Sequence, residues 1–206
     1  SWQVRTSLPE VGEAALNTAL LAAMAAVVVL LLALAFAVLS RRSGNDRGVR
    51  SAAFVAGLGY AVPGTVLAVG AMWLLVAAER AWPWLSGLAL SSSLVAVLLA
   101  LSVRFLRVGH EATESAFQSL RPSLLESARV LGVPAGARLR RIVLPLLRPG
   151  LVAALLLVIV ETVKELPATL MLRPFGWDTL AVRIYGYTTE GLWAQAAWPA
   201  LWLCLV

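Results

Sequence analysis

Glu161, Lys164 and Glu165 lie three and four residues apart within a stretch that is otherwise apolar from Leu151 to Leu172. On a helix that spacing puts all three on one face. The apolar run starts near Gly150, so Glu161 lies about 11 residues in, roughly 16 Å at 1.5 Å per residue. That is near mid-bilayer, where an ionisable group costs a few kcal/mol and faces a bundle interior or a water-filled path. Lys164 can offset part of the carboxylate charge. Pro167 then breaks the helix and frees backbone groups that need protein or water around them. The chemistry on offer is a buried ion pair that orients helices, or a gate in a solute path. The two are compatible.

Other chemistries find little support. Hard carboxylate oxygens suit a hard cation, but two glutamates beside a lysine are not a metal cage, so no metal site is assigned. The single cysteine, Cys204, excludes an intrachain disulfide and a cysteine-rich zinc site. The single histidine, His110, stands in a polar stretch without a clustered acid or cysteine, as a solvated or interfacial residue would. No G-x-x-x-x-G-K-[ST] phosphate loop occurs, so this chain carries no ATP site of that kind.

The elements that must position these residues follow from composition. Apolar residues make up 60% of the 206-residue chain and charged residues 14%, and the mean hydropathy is +0.84. So short a soluble chain cannot bury that much apolar surface, whereas spans of roughly 20 apolar residues can sit in lipid. The net charge of +6 is spread between apolar runs. It reads as a positive-inside topology signal and not as a nucleic-acid surface.

Spans are expected from Leu16 to Leu39, Ala52 to Ala78, Leu85 to Val103 and Gly150 onward, with a fifth beginning near Leu192. The expected fold is therefore an all-α polytopic transmembrane bundle of four full spans and the start of a fifth. It forms a single membrane domain over 1–206, read as a piece of a longer polypeptide. Arg41, Arg42, Arg47 and Arg50, relieved by Asp46, mark the first loop as cytoplasmic, and Arg104 and Arg107 open a second cytoplasmic loop over 104–149. Pro63 and Gly64 in the second span suggest a kink, a helix hinge or a lining of the transport path. Glu79 to Trp84 reads as a short external turn, with Trp73, Trp82 and Trp84 where an aromatic belt belongs.

Within the second loop, Ser123-x-x-Glu126 reads as a capping box after Pro122, which discourages a helix from running through. Leu124, Leu125, Ala128 and Leu131 follow at helical spacing, and Gly132 sits where a left-handed C-terminal cap belongs. A second short helix is expected from Ala135 to Val143, ending at Pro145.

Glu126-Ser127-Ala128, then Gly132, then Ile142-Val143-Leu144-Pro145 resembles the EAA loop of ABC importer permeases. That pattern is Glu-Ala-Ala, three residues, Gly, nine residues, Ile-x-Leu-Pro, and Ser127 is the one departure. The resemblance implies the type I importer permease fold in a bacterial inner membrane. It also implies that the Glu126 helix couples to a separate ABC ATPase, where ATP is bound and hydrolysed, so that this chain is no enzyme. Ala128, Leu131, Gly132, Ile142, Leu144 and Pro145 would belong to that contact. Implied partners are ATPase subunits, a periplasmic solute-binding protein, a second permease half and lipid, with no nucleic acid.

Lys164-Glu165-Leu166-Pro167-Ala168-Thr169-Leu170, Leu172-Arg173-Pro174-Phe175-Gly176, Thr179 to Tyr185, and Gly59 to Gly64 are similar to the ferric-iron branch of these permeases. That similarity implies a C-terminal half, ferric iron as solute, and Glu161, Lys164, Glu165, Pro167 and Thr169 along the path or gate. Thiamine, phosphonate or another small anion is the alternative cargo, and an ion-coupled secondary transporter the more distant one.

Overall fold

The computed structural model describes residues 8–42, 48, 51, 57–120 and 122–204, and among them every regular element is helical. In chain order they are α1 (Leu8–Arg42), α2 (Gly64–Ala81), α3 (Pro83–Ser86), a 3-10 turn (Leu90–Ser92), α4 (Leu94–Gln118), α5 (Pro122–Val130), α6 (Ala135–Arg138), a π-helical turn (Leu139–Val143), α7 (Leu144–Val163), α8 (Pro167–Leu172), α9 (Leu180–Thr189) and α10 (Trp193–Cys204). Three stretches are long and apolar enough to cross a membrane: Pro9–Arg41, Gly64–Ala81 and Ala135–Val163. A fourth exists if Pro83–Ser92 and Leu94–Gln118, bent by 71°, form one span. The all-α bundle is as expected. Near the expected start of a fifth span, α10 has 12 residues among those described, which is short of a full crossing. Asp46, Arg47 and Arg50 of the first loop, the start of the second expected span, and the side chains of Leu124 and Leu125 lie outside the described residues.

Small residues decide how the helices meet. Along α1, Ala22, Ala26, Val29, Ala33 and Ala37 are fully buried, whereas Leu16, Leu20, Val27, Leu31 and Leu39 are exposed. The helix reads as apolar all round, yet its small side faces protein and its large side faces lipid, the packing expected where water supplies no drive between helices. α1, α4 and α7 pack on one another. Gly109 of α4 lies so near Val29, Ala33 and Val158 that a methyl group there would reach 2.7 Å from Val29 Cγ1. The largest core cluster includes Ala25, Val29, Ala68, Leu101, Phe105 and Val158.

Several boundaries fall elsewhere than the sequence suggests. The third membrane helix begins at Leu94, where Ser93 caps it by accepting from the Val95 N–H. The external connection is correspondingly longer, and Glu79 fastens it by accepting from the Ser91 N–H at 3.0 Å and pairing with the Ser91 hydroxyl at 3.1 Å. α4 then continues past Arg104, Arg107 and His110 to Gln118, so these residues belong to a helix and not to a loop. His110 lies edge-on to Phe36 of α1. At the ends of α1 and α4, Arg41 pairs with both oxygens of Glu114 at 2.8 and 2.9 Å.

Pro145 does not end a helix. Pro lacks an N–H and clashes with the preceding turn. Here the π-helical turn Leu139–Val143 lies just before Pro145, and the helix runs on to Val163. At the other face of the bundle, Asp178 joins Arg173 and Arg183, the latter at 3.0 Å. The Asp178 carbonyl accepts from Asn17, and Thr18 Oγ1 accepts from the Leu180 N–H. These contacts tie the α8–α9 connection to α1.

α7 touches α4 most closely at Gly150, whose missing Cβ would overlap Ala116. Gly150→Val is expected to destabilise the chain by about 1–3 kcal/mol, the usual cost of overpacking. Thermal unfolding of the purified protein in detergent measures this, and an unchanged melting temperature would contradict the close contact.

Candidate functional site

Two helix breaks meet beside α4. In the first, the chain turns at Gly59 and Tyr60 and restarts as a helix at Gly64, with Pro63 as its N-cap. The second expected span is therefore interrupted, and Pro63 and Gly64 stand at the interruption. In the second break, α7 ends at Val163, Lys164 caps it, and α8 begins at Pro167. Both breaks leave polar backbone inside a bundle, where a partner is obligatory.

Arg104 and Glu165 supply the partners. Arg104 Nη1 donates to the Val62 carbonyl at 3.2 Å, satisfying the first break. The Ala168 N–H donates to Glu165 Oε1 at 3.1 Å, capping α8 at the second. The two side chains meet with Arg104 Nε 3.1 Å from Glu165 Oε2, and their exposures are 22% and 6%. Gly64 permits the approach, since a Cβ there would come within 2.7 Å of Glu165 Oε1. Arg104 lies ten residues beyond Leu94 on α4, about 15 Å along the helix.

The expected trio on one helix face is not formed. α7 stops before Lys164, so Lys164 points away exposed, Glu161 is half-buried, and among the described residues neither makes an ion pair. Pro167 is exposed at the start of α8, and Thr169 is buried with its hydroxyl unpartnered among the described residues. Glu165 is the buried member, and its counter-ion is Arg104 and not Lys164. One sequence signal could have found Arg104. Val97, Leu101, Phe105, Gly109, Thr113 and Phe117 recur every four residues and are all buried. That stripe carries the helix past Arg104.

At the basic end, α5 runs from Pro122 to Val130. Proline at a first helical position loses no needed hydrogen bond, so Pro122 opens the helix and Ser123 sits inside its first turn instead of capping it. Ser123 O accepts from the Ser127 hydroxyl. The other end is as expected. Gly132 adopts φ +72°, the Gly132 N–H donates to Arg129 O, and the Val133 N–H donates to Ala128 O at 3.0 Å. This is a Schellman closure. Ala128 is buried, Glu126 is exposed, and Val130 and Leu131 are 89% and 80% exposed. Ile142 and Leu144 are half-buried and Pro145 exposed on the continuous helix that follows.

Residues 30–206 match the family described as binding-protein-dependent transport system inner membrane component. The chain belongs to this family. The permease chain is accordingly a multi-pass inner-membrane component of a transport system. It is 44% identical over 79 residues to the putative 2-aminoethylphosphonate transport system permease protein PhnV of Salmonella paratyphi A, covering 38% of this chain and 29% of that one. It is 36% identical over 107 residues to the phosphate transport system permease protein PstA 2 of Mycobacterium bovis, covering 49% and 35%. With PstA 1 of Mycobacterium tuberculosis the identity is 32% over 174 residues, covering 82% and 54%. The permease chain thus spans less than two thirds of the length of these relatives. Their names concern phosphonate and phosphate, and none of them supports the iron expectation. Among the described residues no group of three or more His, Cys, Asp or Glu could hold a metal ion.

Proposed function

We propose that the chain is the membrane-embedded part of an ATP-driven importer that receives a small oxyanion, of the phosphate or phosphonate class, from a periplasmic binding protein. The carrying observation is α5, a closed helical peg that presents Glu126, Val130 and Leu131 unpartnered at the basic end. Exposed apolar side chains beside an exposed carboxylate are the make-up of a protein contact, and in this family's setting the partner is the ATPase. Ala128 and Gly132 hold the peg, and Ile142, Leu144 and Pro145 continue it into α7.

The solute reading rests on the relatives' names, which favour an oxyanion over ferric iron. The path runs by Glu165, Thr169 and the two helix breaks, with Glu161, Lys164 and Pro167 around the second break. A second permease half completes the channel.

The test is uptake into vesicles carrying the complete transporter and its binding protein. Labelled phosphate or 2-aminoethylphosphonate is expected to enter only with internal ATP, and dissipating the proton gradient is expected to leave the rate unchanged. Ferric uptake without oxyanion uptake would replace the solute reading. Uptake that survives ATP depletion would replace the importer reading with a secondary transporter.

A further inference from the structure

A cavity of about 450 Å³ opens at the basic end of the bundle, where α1, α4, α5 and α6 come together. Its size is that of a small-molecule site. Arg41, Arg129 and Arg138 border it, one from each of three helices, and among the described residues no acidic side chain lines it. The donors of Arg41 are already engaged by Glu114, and its guanidinium lies 4.3 Å from the centre of the Phe117 ring. Arg129 and Arg138 have no ion-pair partner among the described residues. Two cations with unspent donors thus share one hollow, an arrangement that a phosphate group would relieve with charge-assisted hydrogen bonds.

Apart from Gln118, the rest of the cavity is apolar. Val38, Phe117 and Val143 line it, and Phe117 and Val143 belong to a buried cluster with Ala37 and Leu147. A free inorganic anion would gain nothing from such walls. An amphiphile would place its phosphate among the arginines and its glycerol and upper acyl chain against these side chains. Depth agrees. Val38 is one turn before Arg41, at the end of α1 that the arginine bias assigns to the cytoplasmic leaflet. Basic hollows between helices at this level suit anionic headgroups.

We infer that this cavity is a binding site for one anionic phospholipid of the inner leaflet, held by Arg129 and Arg138. The site joins the coupling helix α5, through Arg129, to α6 and to the membrane. A bound headgroup accepts hydrogen bonds from both guanidiniums, offsets one of their two positive charges and holds α5 against the helix ends. It is independent of which solute is carried.

Native mass spectrometry of the complete transporter, extracted from vesicles of phosphatidylcholine with phosphatidylglycerol, counts retained lipid directly. The wild type is expected to keep phosphatidylglycerol, and the double variant Arg129→Gln, Arg138→Gln to keep about threefold less or lower. The control is Arg140→Gln with Arg141→Gln, exposed arginines of the same segment that do not line the cavity, and it is expected to match the wild type. Equal retention by wild type and the Arg129, Arg138 variant overturns the site. Equal loss in the control also overturns it, by reducing it to a general basic surface. Displacement of the lipid by millimolar inorganic phosphate would assign the site to a soluble anion and overturn the lipid reading. None of these readings depends on transport.

Discussion

Glu165→Ala in the complete transporter is expected to abolish uptake and to lower stability by about 3 kcal/mol or more, the cost of stranding one member of a buried pair. The residue has two duties: it pairs with Arg104 at 3.1 Å and caps α8 at Ala168. Arg104→Ala is expected to cost a similar amount, because it also leaves the Val62 carbonyl without its donor. The two losses should not add. A double-mutant cycle on melting temperature is expected to give a coupling of about 1 kcal/mol or more, and Gly64→Val, which fills the space between them, should reproduce the single-variant phenotype. Additive losses with uptake intact in either variant would remove the pair from the working of the transporter.

The second large effect is expected at α5, with a different signature. Glu126 is exposed and has no side-chain hydrogen bond or ion pair among the described residues, so Glu126→Ala should leave melting temperature and membrane insertion unchanged while reducing ATP-dependent uptake about tenfold or more, the scale of one lost charged contact. Gly132→Val should act through the backbone. At φ +72° a β-branched residue is strained by about 1–2 kcal/mol, the Schellman closure opens, and the apolar pair Val130 and Leu131 loses its position. Gly132→Asn, which tolerates that conformation, should retain most activity. Uptake and ATPase association measured side by side would separate the cases, and normal uptake in both Glu126→Ala and Gly132→Val would end the coupling assignment.

What could be read from the sequence was what local rules govern. The Gly132 closure depends on residues within one turn and was legible. The start of α5 was not, because Pro122 serves equally as a breaker before a helix and as its first residue. Charge bias misplaced Arg104, since it treats every arginine as a marker of water. A partner 61 positions away, Glu165, leaves no local trace. The same blindness made Lys164 look like the counter-ion, because sequence spacing assumes an unbroken helix and α7 ends one residue before it. Pro145 misled in the opposite sense: a π-helical turn just before it lets the helix continue.

That continuity has a mechanical consequence. The helical rod from Ala135 to Val163 has 29 residues, about 43 Å in length. One end begins three residues after Gly132, and the other leads into Glu165. Near its middle, Gly150 packs closely on Ala116, next to Pro149 inside the helix. A tilt of about 5° about that point swings each end by about 2 Å in opposite senses, as the half-lengths of about 20 Å require. A rigid tilt of that kind would carry a displacement beside α5 to the Arg104–Glu165 contact with its direction reversed and its size preserved.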